Sequence, residues 1–234
     1  MTVRAIQQHL EALGDPEKAA HAQRFFKTGP GQYGEGDVFR GIRVPVLRKL
    51  AKDYQHLPLA ETVALLQSPF HEDRLLALLI LVRAFSKGDD AVKKTIYDLY
   101  LKHTRWINNW DLVDASAHKI VGPFLMDRSK APLYRLARSA SLWERRIAII
   151  ATFHFIGHHH FEDTLAISEI LLGDGEDLIY KAVGWMLREV GKRNLDAEEG
   201  FLQQHYRSMP RTMLRYAIER FPEPRRQGYL KGLI

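Results

Sequence analysis

The sequence predicts an all-α protein in which pairs of helices repeat along the chain as an α-solenoid. Three observations indicate this fold. Apolar residues recur at helical spacing in one segment after another, and no series of segments alternates with a period of two. Similar helix starts also return at nearly constant intervals, because Asp111, Arg146, Lys181 and Arg215 are separated by 35, 35 and 34 residues. We therefore expect a single repeat domain over residues 1–234.

Short runs of glycine, proline, serine and aspartate divide the chain into helical segments. One helix is expected to end near Phe25 to Lys27. Ser86, Ser141 and Asp177 stand where a short oxygen-bearing side chain can cap a helix start. The later helices are predicted over residues 59–67, 73–85, 89–101, 111–121, 131–138, 142–155, 161–172 and 177–190.

Residues 28–37 are the exception to the helical pattern. Four glycines and one proline among ten residues exclude an ordinary helix interior. The segment can form a hairpin or an ordered loop whose backbone N–H groups are available to phosphates. It lacks the preceding strand and the Gly-Lys-Ser/Thr ending of a nucleotide-binding loop. A plain surface loop is the favoured interpretation.

The repeat has a consequence for the surface. Equivalent helices of a solenoid stack side by side, so their early charged positions are expected to line up along one concave basic groove. This places Arg74, Arg146, Lys181 and Arg215 on one side, with Asp111 and Asp114 among them. The alternative is that these residues are only the polar edges of packed helices.

Composition limits the possible functions. Lys and Arg number 34 against 28 Asp and Glu, a formal net charge of +6, which favours an anionic partner such as nucleic acid. The absence of cysteine excludes disulfides, thiolate zinc sites and cysteine nucleophiles. The longest apolar run, residues 75–82, is too short to span a membrane. We expect a cytoplasmic monomer that does not contact membranes.

Aromatic and charged residues concentrate at three helix starts. Trp110 and Asp114 lie four residues apart, so they share one helix face beside Asp111. Trp143 precedes Arg145 and Arg146 at the next equivalent helix. A single such tryptophan is usually part of a core, but several on equivalent helices indicate a surface for binding. The third helix start places Trp185 in one stripe with three cations: Lys181, Arg188 and Lys192.

Two other clusters are weaker candidates. His158, His159 and His160 are consecutive, so they cannot all point to one metal, and a solvated loop is the better interpretation. Asp114, Ser116 and His118 have the composition of a catalytic triad, but all three lie on one short helix, which does not give triad geometry. No metal and no cofactor is expected.

Four motifs together resemble the AlkD-like family of DNA alkylation repair glycosylases, which are all-helical proteins of HEAT-like repeats. The similarity runs over nearly the whole chain. The motifs are Gly41-Ile-Arg-Val-Pro45, Trp110-Asp-Leu-Val-Asp114, Trp143-Glu-Arg-Arg-Ile147 and Lys181-Ala-Val-Gly-Trp-Met-Leu-Arg-Glu189.

The resemblance implies a DNA glycosylase that removes cationic N3- and N7-alkylated purines from double-stranded DNA without extruding the damaged base. It implies that Asp114 is the catalytic carboxylate, that Trp110 and Trp185 flank the deoxyribose of the lesion, and that Arg146 contacts a phosphate. An alkylated purine is already a good leaving group, so a carboxylate that stabilises the sugar cation suffices. Further DNA contacts are expected from Lys181, Arg188, Lys192, Arg43 and Phe25.

The chain departs from the family pattern at two positions. Phe25 and Phe26 stand where active members often carry a tyrosine, and His154 replaces a lysine. The glycine-rich segment also resembles relatives that bind branched DNA without excising bases. A non-catalytic HEAT-repeat protein that binds branched or distorted DNA is therefore the alternative, and a protein-binding scaffold is a third possibility.

Overall fold

The computed structural model describes residues 2–234, and within this range the secondary structure is helical. Val38 and Phe70 pair as an isolated bridge, and no strand forms among the described residues. The prediction of an all-α protein is confirmed, and the succession of helices is consistent with an α-solenoid of helical repeats. The chain divides into two compact units at Ser116 and Ala117. The concave groove and the single domain stay predictions.

The first unit contains six helices and the beginning of a seventh. The long helix α5 packs against α3, α4 and α6, and α1 packs against α4. Nearly every residue from the start of α5 to Leu78 is buried, as expected for a helix with neighbours on several sides. The helices are α1 (Val3–Ala12), α2 (Pro16–Phe25), α3 (Val44–Asp53), α4 (Leu59–Leu66), α5 (His71–Lys87), α6 (Asp90–Lys102) and α7 (Trp110–Leu125).

The second unit has α12 at its centre. This helix packs against α9 and α14 and also contacts α11 and α13. Gly184 makes the contact with α14 possible, because a β-carbon there would lie 2.4 Å from the Met213 carbonyl oxygen. The helices are α8 (Ala131–Leu136), α9 (Leu142–Ala151), α10 (Phe153–Gly157), α11 (Glu162–Ile170), α12 (Asp177–Gly191), α13 (Leu195–His205), α14 (Arg211–Ala217) and α15 (Glu223–Lys231).

Most predicted helix boundaries agree with the structure to within a few residues. Ser141 caps α9 as predicted, since its hydroxyl accepts the Glu144 backbone N–H. Ser86 was the wrong choice for a helix start, because it lies inside α5 and donates to the Arg83 carbonyl; Asp89 caps α6 instead. The helix predicted over 142–155 is divided into α9 and α10 at Thr152.

Arg74 is a correction to the predicted basic surface. Its side chain is buried in α5, where it donates to the carbonyls of Ser68 and Pro69 and to Asp37. A buried guanidinium needs such partners to compensate for lost hydration. Arg74 is therefore part of the core of the first unit and is not exposed to a binding partner.

The glycine-rich segment 28–37 is an ordered loop and not a hairpin. Gly31 and Gly36 have φ angles of +72° and +84°, which side chains with a β-carbon rarely adopt. The Gly31 N–H donates to the Glu35 carboxylate at 2.8 Å, within the loop itself. The loop ends at buried Asp37, which attaches it to the core of the first unit.

Within residues 2–234 no helix is long and apolar enough to cross a membrane.

Candidate functional site

The start of α7 carries the first group of candidate residues. The Trp110 ring stacks on Phe26 with centroids 5.4 Å apart and an interplanar angle of 20°, and its other neighbour, Phe25, meets it edge-on at 6.1 Å. Phe25 is 58% exposed, whereas Trp110 is half-buried. We call Phe25, Phe26 and Trp110 the Trp110 cluster. It presents aromatic surface to solvent, so the prediction that Trp110 is not sealed in the core is confirmed.

Asp114 lies one helical turn after Trp110 and is half-buried. The carboxylate of Asp114 interacts electrostatically with the buried hydroxyl of Tyr100. Burial raises the pKa of Tyr100, and the negative charge of Asp114 raises it further. The Tyr100 hydroxyl forms a hydrogen bond of 2.9 Å with the Ser116 hydroxyl. The carboxylate of Asp114 thus lies at the border between the buried side of α7 and the surface that carries Trp110.

A buried network of charges holds this end of α7. His71 Nε2 is 2.8 Å from Asp111 Oδ2, and His71 Nδ1 is 3.2 Å from Asp37 Oδ2. Asp37 also accepts from Asn109 Nδ2 at 3.1 Å, and Asn109 in turn accepts the backbone N–H of Trp110 at 2.9 Å. Residues on both sides of Trp110 are therefore tied to the core of the first unit.

An open cleft of about 470 Å³ lies beside this network in the first unit. Phe26, Phe39 and His71 line it together with Asp111. Arg43, one of the predicted DNA contacts, is exposed at the start of α3 and also lines the cleft. The structure thus places Arg43 near the Trp110 cluster on the surface of the same unit.

The second group of candidate residues lies on α12. The Trp185 ring is half-buried and tilted against Phe153, with centroids 5.7 Å apart. Its indole Nε1 donates to Glu189 Oε1 at 3.3 Å, one turn further along the helix. Burial opposes ionisation of Glu189, but bonds from Lys192, Arg193 and Trp185 hold the pKa of its carboxyl below the usual value. Trp185 is therefore oriented by an ionised carboxylate.

The three cations of the predicted α12 stripe all have acidic partners. Lys181 is 2.6 Å from Asp177, and Lys192 is 2.5 Å from Glu189. Arg188 forms an ion pair with Glu219 of the second unit. The charge of these three residues, which lie on α12 or directly after it, is therefore largely compensated within the protein, and their role as a DNA-binding stripe stays a prediction.

Arg146 is less accessible than its predicted role suggests. Only 5% of the residue is exposed, and its guanidinium donates to the carbonyl of Leu178 in the first turn of α12. The contact joins α9 to α12. The predicted phosphate contact of Arg146 stays a prediction.

The weaker candidates gain no support from the structure. Ser116 is buried and its hydroxyl donates to the Leu112 carbonyl at 2.6 Å, so it is not accessible from the surface. Among residues 2–234 there is no group of three or more side chains that could hold a metal ion. Trp143 and Trp106 are half-buried.

The sequence did not point to the importance of His71, Asp37 and Asn109. The contacts of His71 join residues 34 and 40 positions apart, and no local motif indicates such pairs. The one available signal was the polar pair Asn108-Asn109 directly before Trp110, since asparagine often satisfies the free N–H groups of a helix start.

Comparisons with known proteins agree with the resemblance. The family of DNA alkylation repair enzymes matches residues 6–221. A solved structure described as a predicted DNA alkylation repair enzyme from Enterococcus faecalis superimposes with a TM-score of 0.69 and 19% sequence identity, covering 90% of this chain and 97% of its own. At this identity the second match supports the fold alone. Comparison with curated proteins gives no match.

Proposed function

Because the chain belongs to the family of DNA alkylation repair enzymes, we propose that it is a DNA glycosylase for cationic N3- and N7-alkylated purines in double-stranded DNA. The observation that carries the proposal is the half-buried carboxylate of Asp114, one turn from a solvent-reaching tryptophan. A carboxylate on a surface that binds DNA repels phosphates. Its position beside Trp110 favours a role in stabilising positive charge.

The chemistry requires only what these residues supply. The bond between C1′ and the purine nitrogen breaks, its electron pair goes to the base, and the alkylated base leaves as a neutral molecule. The sugar becomes an oxocarbenium-like cation that Asp114 stabilises electrostatically. Water adds to C1′, and its proton passes to the carboxylate of Asp114. The products are the free base and an abasic site.

The tryptophans and cations would bind the substrate. Trp110 and Trp185 would contribute cation–π stabilisation of about 0.5–2 kcal/mol each to the sugar cation. Phe25 is exposed enough to lie against a base or sugar. The proposed phosphate contacts are Arg43, Arg146, Lys181, Arg188 and Lys192. Those on α12 would exchange a carboxylate partner for a phosphate oxygen on binding.

The alternative is a protein that binds branched or distorted DNA without catalysis. The observation that favours it is the pair Phe25 and Phe26, because neither ring has a hydroxyl to hold a backbone phosphate. The Asp114 carboxylate argues against it, since pure binding gains nothing from an anion on that face.

The deciding experiment is incubation with methylated duplex DNA and measurement of released 7-methylguanine and 3-methyladenine. Asp114→Asn keeps the shape of the side chain and removes its charge. We expect base release to fall by at least about 100-fold, as for the loss of one electrostatic contact to a transition state, with DNA affinity unchanged or tighter. Asp98→Asn is the matched control, because this exposed carboxylate on α6 pairs with Lys94 in the same helix. Absence of release by the parent protein, with DNA binding intact, would support the alternative.

A further inference from the structure

The buried imidazole at the start of α5 connects directly to the start of α7. His71 is 2% exposed, and both ring nitrogens contact carboxylates: Nδ1 that of Asp37 and Nε2 that of Asp111. Asp111 follows Trp110 in the chain. His71 therefore joins the glycine-rich loop, which ends at Asp37, to the first turn of the helix that carries Asp114.

The same network holds the residue before Trp110. Asp37 accepts hydrogen bonds from Asn109 and Arg74, so one carboxylate organises three different segments. Asn109 is completely buried and accepts the backbone N–H of Trp110. Two connections, through Asn109 and through His71, thus restrain the backbone on either side of Trp110, and both lead to Asp37.

Ring contacts provide a third connection. The imidazole of His71 lies 4.9 Å from the Phe26 ring and is stacked on Phe39 at 4.6 Å. Phe26 is in turn stacked on Trp110. A change in the position or charge of His71 can therefore reach the Trp110 indole both through the backbone and through Phe26.

The charges around His71 determine its protonation state. Burial and the nearby Arg74 lower the pKa of His71, but the charge and hydrogen bond of Asp111, with the bond to Asp37, raise it to about 9. The imidazole is therefore doubly protonated at neutral pH, and each N–H donates to one carboxylate. Loss of one proton removes one of these two hydrogen bonds.

We infer that His71 is a positioning residue that holds Trp110 and the first turn of α7 in place through Asp111 and Phe26. Its effect on base release rests on the proposed glycosylase activity, whereas its effect on Trp110 does not. His71 itself contacts no substrate in this proposal. It acts by keeping the indole and the Asp114 carboxylate in a fixed relation to the core of the first unit.

The first experiment observes Trp110 in the free protein. The indole N–H resonance of Trp110, assigned by its loss in Trp110→Phe, and the ring protons of His71 are followed by NMR between pH 6 and 10. We expect both to titrate together with a midpoint near 9. Asp111→Asn should move the midpoint of both down by at least about one pH unit, because the charge that favours the imidazolium is removed. A Trp110 resonance that does not follow His71 would overturn the inference.

The second experiment measures the reaction. We expect His71→Gln to slow single-turnover release of the base by about tenfold or more, because small displacements of reacting groups reduce rates steeply, while DNA affinity stays within about twofold of the parent. His103→Gln is the control, since His103 is also buried in the first unit and its Nδ1 bonds to the Leu99 carbonyl of the preceding helix α6. Equal rates for His71→Gln and the parent would contradict a positioning role. If His71→Gln does not fold, single-turnover base release is measured on Asp111→Asn instead. This variant weakens the contact between His71 and α7 and leaves Asp37 in place, so a slower release would again indicate positioning through Asp111.

The two experiments separate the possible failures. If the parent protein releases no base, the glycosylase proposal fails, and the titration of Trp110 still decides whether His71 positions it. If the parent releases base and Trp110 does not respond to His71, the positioning proposal fails alone.

Discussion

At the scale of single residues, the chain contains charged groups whose burial makes stability depend on pH. His71 and Asp37 share a contact in the first unit, and Glu198 is buried in the second. The carboxylates around His71 favour its charged form, whereas burial and the neighbouring Glu199 favour the neutral form of Glu198. The direction of each pKa shift fixes the pH range in which the residue affects unfolding.

His71 should stabilise the fold at low and neutral pH and lose this effect in alkaline solution. Its pKa rises from 6.5 in the unfolded chain to about 9 in the fold. The stabilisation is therefore complete below pH 6.5 and disappears as the pH rises through 9, with an amplitude of about 3 kcal/mol. Urea unfolding of the parent and His71→Gln at pH 5.5 and pH 10 measures it. A free-energy difference between the two proteins that is the same at both pH values would contradict the prediction.

Glu198 should also cost stability as the pH rises, but here the fold favours the neutral form of the side chain, whereas it favours the charged form of His71. Burial and the adjacent Glu199 raise the pKa of Glu198 to about 8, although Arg188 lowers it in part. The unfolded carboxyl ionises near 4.5, so the folded protein loses stability as the pH rises from 4.5 to 8. Glu198→Gln mimics the protonated acid and should stabilise the protein at pH 8 by on the order of 4 kcal/mol. Unfolding midpoints at pH 5 and 8 test this, and a variant less stable at pH 8 would refute it.

At the scale of elements, the spacing of helices depends on small residues at their contacts. A β-carbon at Gly184 would lie 2.4 Å from the Met213 carbonyl oxygen and 2.5 Å from the Tyr216 β-carbon. Neither atom can move without displacing α14. The Lys181 motif therefore contains glycine at this position because α12 and α14 approach each other closely.

Gly184→Ala should destabilise the protein by about 1–3 kcal/mol, because extra volume in a packed contact forces the helices apart. Gly200→Ala is the matched control in α13, where a β-carbon would meet nothing within 4 Å. The control should be neutral or gain about 0.5–1 kcal/mol from higher helix propensity. Thermal unfolding of both variants gives the comparison, and equal behaviour would show that the close approach has no energetic consequence.

Helix positions could be predicted from the sequence because their signals are local. Apolar spacing and short polar breaks placed α4 to α9 within a few residues, and the motif from Trp110 to Asp114 identified half of the candidate site. The burial of Arg74 and the network of His71 could not be predicted in this way. Both depend on Asp37, which lies more than 30 residues away and is brought to α5 only by the fold.

At the scale of the whole molecule, the net charge of +6 should make DNA binding depend on salt. The logarithm of affinity should fall with the logarithm of salt concentration with a slope of about −0.9 for each phosphate contact. Lys192→Ala should make the slope shallower by about one contact. Lys94→Ala is the control, because Lys94 is an exposed, ion-paired lysine on α6. Affinity that does not change with salt would exclude the proposed backbone contacts.

The ion pairs on α12 would affect how long the protein stays on undamaged DNA while it searches a genome. Undamaged duplex presents the same phosphates as damaged duplex, so a surface of unpaired cations would remain on it for long periods. Lys181, Arg188 and Lys192 each keep a carboxylate partner within the chain, and this internal counterion competes with every phosphate that approaches. If the proposed function holds, dissociation from ordinary sequence would thereby be faster, while the energy gained at a lesion, from aromatic surface and a sugar cation, would stay the same. The acidic residues of this surface would thus shorten each unproductive encounter and increase the number of sites sampled in a given time.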